Sequence, residues 1–245
     1  MSATMLGQGK NAWQAEIDSH AELVDFLRFN CKFAEDLIMN ENQVRSPAGT
    51  WNRMEWRGLE GFVTAISPFN FTAIGGNLAA APALMGNVVL WKPSSSAVYS
   101  NYLVHKAFLE AGLPPNVIQF LPSHPRDFVD TTLASKDFAG LHFTGSTGVF
   151  RDLWQRIAKK IPRLKTFPRI VGETGGKNFH FVHSSASVDN VVYQTIRGAF
   201  EYQGQKCSAC SRLYVPESLW PEIKRKMVSE VNKITIGDHT GTDPE

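Results

Sequence analysis

The stretch "GFVTAISPFNFTAIGGNLAAAPALMGNVVLWKP", Gly61 to Pro93, decides the fold. It opens on "GFVTAIS", a short apolar run that reads as a strand. "FTAIGGNLAAAPALM" reads as a helix to about Met85, and "NVVLWKP" as a second strand that proline stops. The strands are apolar along nearly their whole length instead of alternating. That is how strands read when both faces of a parallel sheet are covered.

The alternation continues downstream. "SSAVYSNYLVHKAFLEAGLPP" reads as a helix ended by Gly112 and Pro114, and "NVIQFLP" as a third strand. "DFVDTTLAS" is a short helix, "AGLHFTGS" a fourth strand, "TGVFRDLWQRIAKKI" a helix and "PRIVGE" a fifth strand. This order predicts an α/β chain: a Rossmann-like parallel sheet with helices on both faces. After Gly175 the pattern is less regular. "NFHFVH" and "SRLYVP" read as strands, with helices over "SVDNVVYQTIRGAFEYQGQ" and "ESLWPEIKRKMVSEVNKI", and the polar ending "TIGDHTGTDPE" reads as a loop or frayed tail. Upstream, "AEIDSHAELVDFLRFNCKFAEDLI" places Ile17, Ala21, Val24, Leu27 and Cys31 at helical spacing. Cys31 is therefore expected to be a small buried apolar residue.

Composition narrows the function classes. With 245 residues, 43% apolar and 20% charged, the chain is long enough for a sizeable core. The net charge of +2 comes from scattered basic residues and suggests neither nucleic acid nor an acidic membrane surface. The longest apolar region, Leu78 to Trp91, is broken by Pro82, Gly86 and Asn87 and is too short to span a bilayer. The opening residues "MSATMLGQGK" carry neither a signal-peptide core nor an Arg-rich amphipathic leader. Three cysteines do not make a disulfide framework.

Cysteine chemistry is the most informative local feature. "EYQGQKCSAC", Glu201 to Cys210, contains a Cys-x-x-Cys pair. A redox dithiol of that kind normally opens a helix after the first strand of a small domain, and this pair follows a long helix instead. A zinc site needs a second ligand pair. Only Cys31 remains, and in "HFVH" the histidines three apart on a strand would face opposite sides. No metal site is expected. A nucleophile needs an oxyanion donor and a base. Cys207 follows a glycine turn, Asn70 in "SPFNF" lies between a strand and a helix, and Glu173 in "VGETGGKN" ends a strand. Strand ends are where parallel α/β sheets gather ligands. Taken singly, Asn70 is a turn or cap residue and Glu173 a solvated carboxylate.

Together, "SPFN", "WKPS", "FTGS", "GETGGKN" and "GQKC" resemble the NAD(P)-dependent aldehyde dehydrogenases in order and approximate spacing, including the 34 residues from Glu173 to Cys207. "GGKNFHFVH" and "AFEYQGQKCSACSRLYVP" are similar to the branch of that family that oxidises glutamate γ-semialdehyde to glutamate in proline degradation. The resemblance implies Cys207 as nucleophile, Asn70 with the Cys207 backbone N–H as oxyanion donors, and Glu173 as the base that activates water. It implies NAD as cofactor, held at Lys92, Pro93 and Ser94 of "WKPS" and at Gly145 and Ser146 of "FTGS". Ser146 would open a helix whose N-terminus favours pyrophosphate. Ser208 would meet the substrate carboxylate. Phe71 would line the substrate's aliphatic chain, a core aromatic being the equal alternative, and Cys210 would be structural.

The chain departs from the family in having Val149, Phe150 and Arg151 where the usual pattern ends in glycine, which bears on the fine geometry at Ser146. The same resemblance implies an NAD-binding domain over residues 1–175, short of its N-terminal portion, and the first part of a second α/β catalytic domain over 176–245. The chain is accordingly expected to be truncated at both ends. Its full-length parent would be a homo-oligomer of the mitochondrial matrix acting on a small-molecule aldehyde. The alternative is a non-catalytic, nucleotide-binding fragment of such an enzyme.

Overall fold

A computed structural model describes residues 1–39 and 44–237; the polar ending lies outside the described residues from position 238 on. Packing divides the chain into two units, Met1–Glu173 and Thr174–Glu245.

The first unit begins with helices α1 (Ser2–Gln8) and α2 (Ala12–Ala15), a π-helical turn over Glu16–Ala21 and helix α3 (Glu22–Met39). There follow β1 (Phe62–Ile66), α4 (Thr72–Leu84), β2 (Val88–Lys92), α5 (Val98–Glu110), β3 (Ile118–Phe120), α6 (Pro125–Ala134), β4 (Phe138–Thr144), α7 (Thr147–Lys160) and β5 (Arg169–Glu173). All strand pairings are parallel, in the order β3-β2-β1-β4-β5. This is the α/β sheet expected from the strand–helix alternation.

Period-two geometry sorts the core onto the two faces of the sheet. Ala65, Val89, Trp91 and Ile118 pack with Leu78 and Ala79 of α4 and with Val104 and Phe108 of α5. Their sequence neighbours Ile66 and Leu90, with Leu141 and Phe143, meet Phe128, Val129 and Leu133 of α6 and Leu153 and Ile157 of α7. The central strands β1 and β4 are thus buried on both sides, which explains their unbroken apolar character, while the edge strand β5 is largely exposed. Trp91 is fully buried; burying a large apolar side chain stabilises by ~3 kcal/mol.

The second unit is a single strand–helix–strand crossover followed by one helix: β6 (Asn178–Phe181), α8 (Val188–Phe200), β7 (Cys210–Tyr214) and α9 (Trp220–Val231). The strands pair in parallel, and Val182, Val191, Val192 and Ile223 form the core.

The first helices differ from expectation. Ile17 and Val24 are exposed, at 43% and 39%, and so is Cys31. The residues that face inward are Leu23, which lies against Gly76 of α4, and Asn30, whose Nδ2 donates to Asn77 Oδ1 at 2.7 Å. The cause is the π-helical turn over Glu16–Ala21. It takes more residues per turn than an α-helix, so the stripe extrapolated at constant helical spacing falls on the wrong side.

On β4, His142 faces α4, and its Nδ1–H donates to the Leu78 carbonyl at 3.0 Å. Burial pushes its pKa below the ordinary imidazole value, the backbone hydrogen bond opposing this only in part. The folded chain therefore holds the neutral ring, while the unfolded chain binds a proton below pH ~6.5. Stability is expected to fall as the pH drops through that value, by up to about 1.4 kcal/mol per pH unit for this one group. His142→Asn, which keeps a donor and removes the titration, is expected to flatten the pH dependence of the urea midpoint between pH ~6.5 and ~5. An unchanged profile would contradict this assignment.

Candidate active site

The register of the first unit brings its strand ends to one edge. Ile66 is level with Lys92 and Phe143, and Thr144 is level with Glu173. The loops leaving this edge carry Asn70, Lys92, Pro93, Ser94, Gly145, Ser146 and Glu173. The strand order also reverses here: the chain builds β2 and β3 on one side of β1, then returns to place β4 and β5 on the other. A crevice outside the carboxyl ends of the strands at such a switch point is the general ligand position of open α/β sheets.

Backbone bonds tie the loops to one another. The Ser67 N–H donates to the Lys92 carbonyl at 3.2 Å, and Trp91 Nε1 donates to Ser67 Oγ at 3.1 Å. The Gly145 N–H donates to the Glu173 carbonyl at 3.2 Å. Asn70 and Phe71 are buried, Glu173 and Ser146 exposed. The ring of Phe71 lies under the Lys10 ammonium, 4.5 Å from Nζ to the ring centroid, so Phe71 is a core aromatic.

Lys92 is 5% exposed, and its Nζ donates to the Pro93 carbonyl at 2.8 Å. Burial lowers its pKa from the ordinary lysine value. Ser94 Oγ lies 3.3 Å from Ser96 Oγ. Ser146 is the N-cap of the 14-residue α7 and accepts from the Val149 N–H at 3.4 Å. Beside that N-terminus, α6 and α7 enclose a groove of about 540 Å³ lined by Pro125, Arg126, Val129, Val149, Leu153 and Arg156, among others. Asp130 and Asp152 also line the groove and pair with Arg126 and Arg156, so the features that fit a nucleotide with its phosphates are the buried lysine and the helix N-terminus beside an apolar-walled groove.

The departure at Phe150 has a structural counterpart. Phe150 stacks on Phe143 at 5.5 Å and meets Trp154 edge-on at 5.5 Å. The ring fits because residue 172 has no side chain: a Cβ there would lie 2.2 Å from Phe150 Cε2. The cap at Ser146 forms beside this ring.

In the second unit, Cys207 and Ser208 lie in a turn closed by the Ala209 N–H donating to the Lys206 carbonyl at 2.9 Å. Cys207 is half-buried and Ser208 exposed. Asn178 Nδ2 donates to the Cys207 carbonyl at 2.6 Å, and a Cβ at Gly176 would lie 2.5 Å from the same oxygen. "GGKN" and "GQKC" therefore meet. Neither Gly176 nor Asn178 was assigned a role from the sequence, although both lie in a quoted motif. The turn is also entered through three successive residues with positive φ, Tyr202 at 51°, Gln203 at 53° and Gly204 at 70°. Only the glycine signals this in the sequence. Such strain is held where function needs it. Cys210 Sγ donates to the Arg212 carbonyl at 3.2 Å, and neither Cys207 nor Cys210 is in a disulfide. Among the described residues, no group of three or more His, Cys, Asp or Glu could hold a metal, and no helix is long and apolar enough to cross a membrane.

The sequence matches the aldehyde dehydrogenase family over residues 1–245. The chain belongs to that family. Among aldehyde dehydrogenases, it is 60% identical over 238 residues to the mitochondrial delta-1-pyrroline-5-carboxylate dehydrogenase of Mus musculus, covering 97% of this chain and 42% of that one. It is 59% identical over 239 residues to the mitochondrial enzyme of that name from Dictyostelium discoideum, covering 97% and 43%. The crystal structure of the Mycobacterium tuberculosis delta-pyrroline-5-carboxylate dehydrogenase bound with NAD superposes with a TM-score of 0.92 at 48% identity, over 98% of this chain and 44% of that one. The chain thus spans less than half the length of the curated relatives it matches.

Gly172 has ordinary backbone angles, so alanine is excluded there only by the Phe150 ring. Gly172→Ala is expected to destabilise by ~1–3 kcal/mol, the usual cost of overpacking. In a Phe150→Ala background that cost is expected to vanish. Equal costs in both backgrounds, read from urea melts, would contradict the packing account.

Proposed function

We propose that this chain is part of an NAD-dependent dehydrogenase that oxidises glutamate γ-semialdehyde to glutamate. The observation that carries the reading is the grouping of Asn70, Lys92, Ser146 and Glu173 at one edge of the first unit's sheet. The relatives of the same name, and the NAD bound in the mycobacterial structure, support it.

In this reading Lys92 hydrogen-bonds the cofactor's ribose hydroxyls, with Pro93 and Ser94 shaping the turn. The α7 N-terminus, with Gly145 and Ser146, receives the pyrophosphate. The groove between α6 and α7, with Val149 in its wall, would receive the adenine. NAD, when bound, supplies the hydride acceptor that converts a thiohemiacetal into a thioester.

The chain's own groups do the rest. Cys207 adds to the aldehyde carbon as a thiolate, and the carbonyl oxygen takes up the negative charge. Asn70 Nδ2 and the Cys207 backbone N–H donate to that oxygen. Donors of this kind are each worth ~10²–10³ in rate. Glu173 takes a proton from water, and the resulting hydroxide displaces the thiolate to release the carboxylate. Ser208 donates to the substrate's far carboxylate. Asn178 and Gly176 hold the nucleophile's turn. A mitochondrial matrix location follows from the mitochondrial relatives in the same reading.

The test is NADH formation from glutamate γ-semialdehyde by the purified chain. Cys207→Ala is expected to abolish it, Asn70→Ala to lower it by ~10²–10³, and Cys210→Ser to leave it largely intact. Turnover that survives Cys207→Ala, or is lost in Cys210→Ser, would overturn the reading. Folded chain without turnover would favour the alternative, a non-catalytic fragment of such an enzyme.

A further inference from the structure

Lys10 and Asp18 form an ion pair deep in the first unit, 0% and 1% exposed, with Lys10 Nζ donating to the Asp18 carboxylate. A pair buried this deeply is a poor source of net stability. Two apolar side chains of similar volume generally do as well or better. What charges add is direction, and here they are aimed at the residue that follows Asn70. The Lys10 ammonium sits 4.5 Å from the centroid of the Phe71 ring, the geometry of a cation over an aromatic face. The lysine is thereby held between a carboxylate and a ring.

The next residue is held from the same side. Thr72 Oγ1 lies 2.8 Å from Thr4 Oγ1, accepts from Gln8 Nε2 at 2.9 Å and donates to Ser100 Oγ at 3.0 Å. All four of these residues are buried. Helix α1 and the segment after it therefore grip both residues that follow Asn70, one through a ring and one through a hydroxyl. A further observation concerns Asp18 itself. It lies in the π-helical turn Glu16–Ala21, where the widened turn carries it and Ser19 inward while Ile17 stays exposed. Widened turns of this kind are frequent at functional sites.

We propose that Lys10 and Asp18 are positioning residues that fix the direction of the Asn70 amide by clamping Phe71. The proposal rests on the reading of Asn70 as the oxyanion donor. Asn70 lies in a loop between β1 and α4, and Phe71, the N-cap of α4, has extended backbone angles of φ −135° and ψ 115°. A free Phe71 ring would let that junction turn, and the amide with it. A donor preorganised toward a developing charge loses its effect when its aim is lost.

The test compares wild type with Lys10→Met/Asp18→Leu, which removes both charges together, and with Phe71→Leu, which removes the ring and keeps the pair. In wild type, the side-chain amide protons of Asn70 should give one sharp, slowly exchanging pair by 15N NMR. In both variants that pair is expected to broaden or double, while nucleotide affinity is kept. Turnover should fall by ~10- to 100-fold in kcat, the usual effect of a misplaced group, with KM for NAD unchanged. Lys10→Arg should retain wild-type behaviour. An Asn70 signal unchanged in both variants, with only the melting temperature lowered, would overturn the proposal. Failure of the underlying reading is separately visible: Asn70→Ala would then turn over as wild type does, whatever the amide signal shows.

Discussion

Parallel pairing of β1 with β2 on one side and β4 on the other is the constraint on which the first unit depends. It buries β1 and β4 on both faces and fixes the register at which the strands reach the sheet's edge. A slip by one residue would exchange the faces, sending Trp91 and Phe143 to the wrong helices. Because the register holds, Lys92, Thr144 and Glu173 end their strands at the same edge, with Gly145 following directly. The bonds from Ser67 to Lys92 and from Gly145 to Glu173 join neighbouring loops at that edge. Polar function is thus placed where the apolar sheet stops, supported by backbone groups that the sheet leaves over.

The second unit holds Cys207, the proposed nucleophile, differently. Cys207 precedes β7, at the end of the strands where chains enter, opposite to the end that matters in the first unit. No strand termination aims it. The turn is instead held by the Asn178 amide, by the space left at Gly176 and by a left-handed run that only packing can maintain. Left-handed backbone costs roughly 1–2 kcal/mol at each non-glycine residue. That cost at Tyr202 and Gln203 is borne by a buried Tyr202 side chain and by the Gln205 N–H bond to the Tyr202 carbonyl at 3.0 Å.

Much of this was legible in the sequence. Strand-and-helix alternation predicted the strands of both units, because short apolar runs stand out between helical stretches and their boundaries are marked, by Pro93 after β2 and by Gly112 and Pro114 after α5. The candidate residues of the first unit were legible because Asn70 and Glu173 lie at strand ends and because the motifs around them, with those at Lys92 and Ser146, resemble the family. Three things were not. The buried face of α3 was misplaced because a π-helical turn leaves no periodic mark, and Cys31 was carried to the wrong side with it. The meeting of Gly176 and Asn178 with Cys207 is a contact across about thirty residues that no local pattern encodes. The exchange of Gly172 for room at Phe150 is equally non-local, though the Phe150 departure itself was visible.

The central proposal is that the carboxyl edge of the first unit is a dinucleotide site centred on Lys92. Calorimetric titration of NAD into wild type and Lys92→Met tests it. Burial already opposes the charge on Lys92, so the substitution should not lower the melting temperature. The expected result is saturable binding by wild type, weakened ~10- to 100-fold in the variant, the worth of a hydrogen bond to a charged group. Equal affinity in the two proteins, or no binding by wild type, would contradict the account.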